Sequence, residues 1–261
     1  MLQEDRFLRI VEYLQEKGTA SLDELAKFTG VSTGTVRRDL SRLQESGILS
    51  VVRGGAVFRN NDLARQSFDM RNIEHKSEKQ NLTQLLTEVI SDGQAIAMNS
   101  GTTNLEAAHF LVSHYRRLTV VSNNLRIINI LKAGDHFNLI LPGGVFDTGE
   151  HAVIGPQCEA EILSYNLDIA LLAVNALSLS KGVTDFRLAE VGIAQAMLRA
   201  AKTKVVLADH TKFDRISCMN LCGLSDIDYI LTDEQVTQDQ LTQYRACGVR
   251  VLTPARGEVT A

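Results

Sequence analysis

The stretch Ser32–Leu43, STGTVRRDLSRL, most narrows what this chain can fold into. Val36, Leu40 and Leu43 fall at i, i+4 and i+7, which lines up one apolar side of a short helix. Thr33, Arg37 and Arg38 fall on the other side. Ser32 stands at the start, where its hydroxyl can accept from a free backbone N–H two or three residues on. Such a helix is too small to fold alone and must be presented by its surroundings.

Those surroundings read as a scaffold. Phe7, Ile10, Val11 and Leu14 repeat at helical spacing, and Gly18 closes that helix. Thr19 and Ala20 make a short link. Ser21 to Glu24 is a capping box, S-x-x-E, so a second helix starts there with Leu22, Leu25 and Ala26 inward. Gly30 takes the turn, Val31 plugs the corner, and Ser32 starts the third helix, which Gly47 ends. ILSVVRGGAVF then predicts two short strands, Ile48–Val52 and Ala56–Phe58, around Gly54-Gly55. The sum is a winged helix-turn-helix over residues 1–58.

The chemistry of that module points to double-stranded DNA. A helix fits the major groove, where Arg donates bidentately to guanine. Thr33 and Thr35 can reach phosphates or base edges, and Arg53 at the wing tip can meet phosphate. The expected DNA-binding residues are Ser32, Thr33, Thr35, Arg37, Arg38, Arg42 and Arg53. The plainer alternative is a solvated helix face on a protein-interaction module. The order helix, capping box, glycine turn, TVRRDL and wing favours DNA. Charge agrees: the 261-residue chain carries −4 overall, yet residues 32–59 hold Arg37, Arg38, Arg42, Arg53 and Arg59 against Asp39 and Glu45. A local basic face on an acidic chain suits a small reading module rather than a polyanion-coating surface.

Several function classes fall away. Cys158, Cys218, Cys222 and Cys247 lack metal-ligand spacing, so they read as thiols in a reducing cytosol, and neither a metal nor a cofactor is expected. The N-terminus MLQEDRFLRI is charged throughout and is no signal peptide. The longest apolar run, Ile169–Leu177, is interrupted by Asn175 and too short for a bilayer. A soluble cytoplasmic protein without membrane contact is expected.

VSTGTVRRDLSRLQESGILSVVRGGAV resembles the DNA-binding signature of the DeoR family of bacterial transcription regulators. The resemblance implies operator contacts from Thr33, Thr35, Arg37 and Arg38, with Asp39 orienting a neighbouring arginine.

Residues 59–76 are polar without a clean period and read as a linker, with Phe68 and Arg71 docking it against one domain. Ser77 to Gln80 reads as a second capping box, opening a helix with Leu82, Leu85, Leu86 and Val89 on one side. From there, strands and helices alternate through residues 77–261. Strands are expected at 94–98, 118–122, 137–141, 169–174, 204–208, 227–232 and 249–252. That pattern implies a mostly parallel α/β sheet covered on both faces.

Ligands on such sheets sit beyond the strand C-terminal ends. Five polar loops fall there. NSGTT (Asn99, Ser100, Gly101, Thr102, Thr103) precedes a helix start and suits a phosphate, through free N–H groups and hydroxyls. Asn123 and Asn124 can bond ligand hydroxyls. Gly143 and Gly144 follow another strand. GVTDF supplies Asp185, with Glu190 on the next helix. ADHTKF supplies Asp209 and Lys212, where Lys212 either pairs with a phosphate or closes a salt bridge to Asp209.

Those loops, in that order, also resemble the DeoR-family effector domain, and GPQ after HAVI is most similar to the branch of glycerol-3-phosphate and sulfosugar regulon repressors. That domain resembles ribose-5-phosphate isomerase. The resemblance implies a phosphorylated sugar or similar anionic metabolite as inducer, repression of a carbohydrate-utilisation operon, and a homo-oligomer, dimer or tetramer. Two departures stand out. The family's E-x-x-x-K pattern meets Ala194 four residues after Glu190. Asn175 stands where the isomerases carry an acid in their catalytic loop, and an amide is no general base. The competing readings are an isomerase or deaminase carrying a DNA-binding module, and an activator.

Overall fold

The computed structural model describes residues 3–45, 49–58, 68–134 and 136–254. The chain divides into two compact units, 1–74 and 75–261.

The first unit opens with α1 (Gln3–Lys17), β1 (Thr19–Ser21), α2 (Leu22–Thr29) and α3 (Thr33–Glu45). β2 (Leu49–Val52) and β3 (Gly55–Phe58) follow, then α4 (Phe68–Ile73). Ser21 caps α2 through a reciprocal pair with Glu24, and Gly30 ends it at φ 72°. Val36, Leu40 and Leu43 are buried with Ile10, Leu14 and Leu25. Each contributes about 1.5–3 kcal/mol of apolar burial, which is what holds α3 helical. β2 and β3 form a hairpin whose two-residue turn is Arg53-Gly54, one position earlier than expected.

Two expectations change here. Thr19–Ala20 is not a mere link: Thr19–Ser21 pairs antiparallel with β3, giving the wing three strands in the order β1-β3-β2. A Cβ on Gly55 would collide with the Ala20 carbonyl, which is why the wing needs glycine there. Of the span read as a linker, residues 59–67 lie outside the described residues, Arg59 among them, as do Gly47 and Ile48 of the module. Phe68–Ile73 is helical, with Phe68 and Met70 buried and Met70 and Ile73 in the first unit's core.

The second unit begins at His75, held in the left-handed region at φ 52°. Ser77–Gln80 is no capping box: α5 (Lys76–Thr83) already starts at Lys76, and the Ser77 hydroxyl donates to Glu78. The expected long helix breaks into a 3-10 turn at Gln84–Glu88. Then come β4 (Ala95–Met98), α6 (Thr102–His114), β5 (Thr119–Ser122), α7 (Leu125–Leu131) and β6 (Asn138–Ile140). A small hairpin, β7 (Val145–Asp147) and β8 (Ala152–Ile154), precedes α8 (Pro156–Leu163). β9 (Leu167–Ala173), β10 (Ala176–Ser178), β11 (Gly182–Asp185) and α9 (Leu188–Ala200) follow. The chain closes with β12 (Ala201–Leu207), β13 (Met219–Cys222), β14 (Tyr229–Leu231), α10 (Gln238–Ala246) and β15 (Arg250–Leu252).

Seven strands make one parallel sheet, ordered β15-β14-β12-β9-β4-β5-β6. Successive residues alternate between its faces, and Ile96, Ala97 and Met98 are all fully buried. Burial on both faces explains why these strands read as near-continuous apolar runs. From β4 the chain steps outward through β5 and β6, then returns to the other side of β4 at β9. The order therefore reverses between β4 and β9, where an open sheet leaves a crevice at the strand C-terminal ends.

Candidate functional site

Two regions collect the residues singled out in the sequence. The first is α3 and the wing. Thr33, Arg37, Arg38, Arg42 and Arg53 are exposed, as is Ser32. The Thr35 N–H donates to the Ser32 hydroxyl at 3.2 Å, and the two hydroxyls bond each other at 3.0 Å, so Ser32 caps α3. The guanidinium groups of Arg37, Arg38 and Arg53 form no ion pair or hydrogen bond with the described residues, which leaves them open to a phosphate or base edge. Asp39 is buried and does orient an arginine, though a distant one: Arg6 of α1 donates to it from Nε at 2.6 Å and Nη2 at 3.1 Å. That pair ties α3 to α1. The Gln44 side chain accepts from Val51 N–H at 2.9 Å and ties α3 to the wing.

The second region is the crevice between β4 and β9. Asn99 closes its floor: its side-chain N–H donates to the Ala173 carbonyl at 3.0 Å and its oxygen accepts from Ala173 N–H at 2.8 Å. Asn104 donates to Asn99 and to the Leu171 carbonyl. A Cβ on Gly101 would strike the Ala173 side chain, so close strand approach requires that glycine. Asn123 donates to the Val153 carbonyl and to both oxygens of Glu190, and accepts from Ser100 N–H. Asn124 caps α7 and donates to the Ser100 hydroxyl and the Glu150 carbonyl. The amides expected to meet ligand hydroxyls are thus taken up in fixing the loops. Gly143 N–H donates to Glu161, and a Cβ on Gly144 would lie 2.6 Å from the Ile154 carbonyl, so this loop packs against β8 and α8.

Thr102 and Thr103 differ. They open α6, which has no side-chain cap, and their hydroxyls bond none of the described residues. The first N–H groups of α6 point out of the helix start with positive dipole character.

Beside them lies a residue that sequence reasoning missed. Arg187 is buried, and its guanidinium grips Asp185 bidentately, from Nε at 2.9 Å and Nη2 at 2.6 Å. Nη1 donates to the Ser100 carbonyl at 2.5 Å and lies 3.7 Å from the Glu150 carboxylate. Burial alone would lower its pKa, but Asp185, then Glu190 and Glu150, raise it instead. Glu190 is pushed up to about 7, by burial first, with Arg187 and Asn123 only partly opposing. Ala194, at the expected lysine position, sits in the apolar core; Arg187 supplies the counter-charge from the other direction.

At the end of β12, Asp209 is fully buried. One oxygen accepts from Thr211 N–H at 3.0 Å and from the Thr211 hydroxyl; the other has no hydrogen bond and lies 3.8 Å from Lys212 Nζ. Burial pushes its pKa up, but Lys212, Thr211, Lys79 and His75 together hold it below the ordinary range. Lys79 of α5, buried, and His210, bonded to the buried Asp233, were not singled out in the sequence. No periodic signal marks a buried lysine. The described residues include no His/Cys/Asp/Glu group able to hold a metal and no helix long and apolar enough to cross a membrane.

Comparison with known families places the DeoR-like helix-turn-helix domain at residues 6–62 and the DeoR C terminal sensor domain at residues 74–234. The chain is 31% identical over 239 residues to the HTH-type transcriptional regulator IolR of Bacillus subtilis, covering 92% of this chain and 94% of that protein. It is 28% identical over 254 residues to the glycerol-3-phosphate regulon repressor of Escherichia coli K12, covering 95% and 100%. It is 28% identical over 226 residues to the transcriptional repressor CsqR of the same strain, covering 87% and 86%. Among solved structures, ribose 5-phosphate isomerase A of Methanocaldococcus jannaschii aligns at 12% identity and TM-score 0.39, covering 54% of this chain and 55% of that one.

Proposed function

Because the chain belongs to the DeoR family of DNA-binding transcription regulators, we propose that it represses a carbohydrate-utilisation operon and leaves its operator when a phosphorylated sugar or similar anionic metabolite binds. The observation that carries the effector half is the uncapped start of α6. Thr102 and Thr103 offer free hydroxyls there, at the point where the strand order reverses. A phosphate satisfies such N–H groups and hydroxyls together. Lys212 adds a cation on the same edge of the sheet, and Asn99, Ser100, Gly101, Asn123, Asn124, Gly143, Gly144, Asp185, Glu190 and Asp209 form the frame. On the DNA side, the residues are Ser32, Thr33, Thr35, Arg37, Arg38, Arg42 and Arg53, acting from a cytoplasmic homo-oligomer that sets two helices on two half-sites. The effector then needs a differential affinity of only a few kcal/mol to shift the population off DNA.

A thermal-shift screen against sugar phosphates tests this. A binder present at about a hundred times its Kd adds about 2.7 kcal/mol, a rise of about 5–10 °C in melting temperature. Thr102→Val and Lys212→Ala are expected to at least halve the rise. A screen in which only unphosphorylated sugars raise the melting temperature rules the phosphate reading out.

A further inference from the structure

His75 opens the second unit, and the chain enters α5 through it at φ 52°. The first turn of α5 is tied to the loops that follow β12 and β14. The His75 ring meets the His210 ring edge-on, with centroids 5.6 Å apart. The Glu78 carboxylate accepts from the Gln235 side-chain N–H at 2.9 Å. Both partners are fixed by one buried group. Asp233 is fully buried; it accepts from His210 N–H at 2.7 Å and from Gln235 N–H at 2.9 Å, and pairs with His210 Nδ1 at 3.1 Å. The two loops are thereby locked to each other and to the start of α5.

The β12 loop carries Lys212 on the same short turn as His210. Residues His210–Lys212 form one 3-10 turn capped by Asp209, which accepts from Thr211 N–H at 3.0 Å. Lys212 Nζ stands 3.8 Å from the Asp209 oxygen that has no hydrogen bond among the described residues. Burial opposes the Asp209 charge; Lys212, then Thr211, then Lys79 and His75 of α5 favour it. Drawing Lys212 away takes a cation from a buried, unbonded oxygen, which is costly unless the turn rearranges. A three-residue turn leaves little slack for His210 to stay in place.

We propose that His210, Asp233 and Gln235 carry the effector signal to the DNA-binding unit. An anion that draws Lys212 from Asp209 shifts the β12 turn, and the paired loops move the first turn of α5. α4 ends at Ile73, so only Glu74 and His75 separate it from α5, and a shift there has little chain in which to dissipate. The phosphate reading enters only as what draws Lys212 away; the tether stands on its own contacts.

A ligand-free mutant cycle in the full-length protein tests the tether, read as affinity for a DNA fragment selected by the protein from random duplexes. Lys212→Gln imitates withdrawal of the cation and is expected to weaken DNA binding at least about fivefold, the lower end of ordinary allosteric coupling. Gln235→Glu sets two carboxylates against each other, and in that background the effect of Lys212→Gln is expected to fall to about twofold or less. Adding Glu78→Gln restores the bond with donor and acceptor exchanged, and is expected to restore the full effect. Adding His75→Asn to Gln235→Glu instead is expected to remove what effect remains, since asparagine tolerates the positive φ but lacks the ring. Each ratio is read within one background, so a uniform loss of stability does not move it. The relay is overturned if Lys212→Gln leaves DNA binding unchanged, if its effect is the same with and without Gln235→Glu, or if the exchange fails to restore it. Because no ligand enters the cycle, failure of every sugar phosphate in the thermal-shift screen overturns the phosphate reading separately.

Discussion

Replacing Arg187 with Met is expected to lower the melting temperature of the sensor unit by about 10 °C at pH 8. The guanidinium is buried and compensates Asp185, Glu150 and Glu190, while bonding the Ser100 carbonyl. Removing one partner of a buried ion pair costs about 3–5 kcal/mol, because the other charge stays buried without compensation. For a unit of this size, each kcal/mol corresponds to about 2–4 °C. The loss has a defined pH dependence. Without Arg187, the folded-state pKa of Glu190 rises further above its unfolded value, and it is already near 7 with the arginine present. Carboxyls raised on folding do not destabilise below their unfolded pKa, and their penalty grows as pH rises through the folded value. The deficit should therefore be small near pH 5 and largest above pH 7. Arg187→Lys should recover only part of it, since an ammonium cannot reproduce the bidentate grip. Melting curves at pH 5, 6.5 and 8 decide the matter: a deficit of a degree or two, or one that does not grow with pH, is inconsistent with this role.

Removal of Arg37 and Arg38 together is expected to abolish discrimination between operator and random DNA at physiological salt. Both side chains are exposed on the solvent side of α3, opposite the buried Val36, Leu40 and Leu43. A bidentate arginine–base pair is worth about 1–3 kcal/mol of specificity, so each alanine alone should weaken operator binding about tenfold to a hundredfold. Neither side chain packs in the core, so the melting temperature should stay within a degree or two. Anisotropy titrations over several salt concentrations separate the roles. A base-reading arginine changes the specificity ratio; a phosphate-binding one weakens all sequences alike and flattens the salt slope. Wild-type operator affinity in both single variants would remove α3 as the reading element.

Much of this architecture was legible because local chemistry and packing agree. The Ser21–Glu24 pair, Gly30 and the 3.6-residue period of α3 each specify one local geometry, and the tertiary fold uses all of them. The parallel strands announced themselves as apolar runs because both faces of the sheet are covered. The short antiparallel pieces did not. β1, β7 and β8 have three residues each, too few for a period, and exist only because a partner strand is nearby. The loops of the crevice were located correctly along the chain, yet the side chains in them were hard to assign. Asn99, Asn123 and Asn124 hydrogen-bond the protein itself, and Gly101 answers to Ala173. Arg187 lay unmarked in GVTDFRLAE because a single arginine in a polar loop carries no sign of burial. Its importance comes from three other segments, at Ser100, Glu150 and Ala173, that meet around it and its near neighbour Asp185.

The central claim, that one unit reads DNA and the other releases it on binding a phosphorylated metabolite, is tested most directly by a release titration. The full-length protein would be bound to a DNA fragment selected by the protein from random duplexes, and challenged with matched phosphorylated and unphosphorylated sugars. At least one phosphorylated sugar is expected to displace the DNA at micromolar to millimolar concentration, with its unphosphorylated counterpart inactive and Thr102→Val markedly less responsive. Displacement by unphosphorylated sugars alone, or equal displacement from wild type and Thr102→Val, would contradict it.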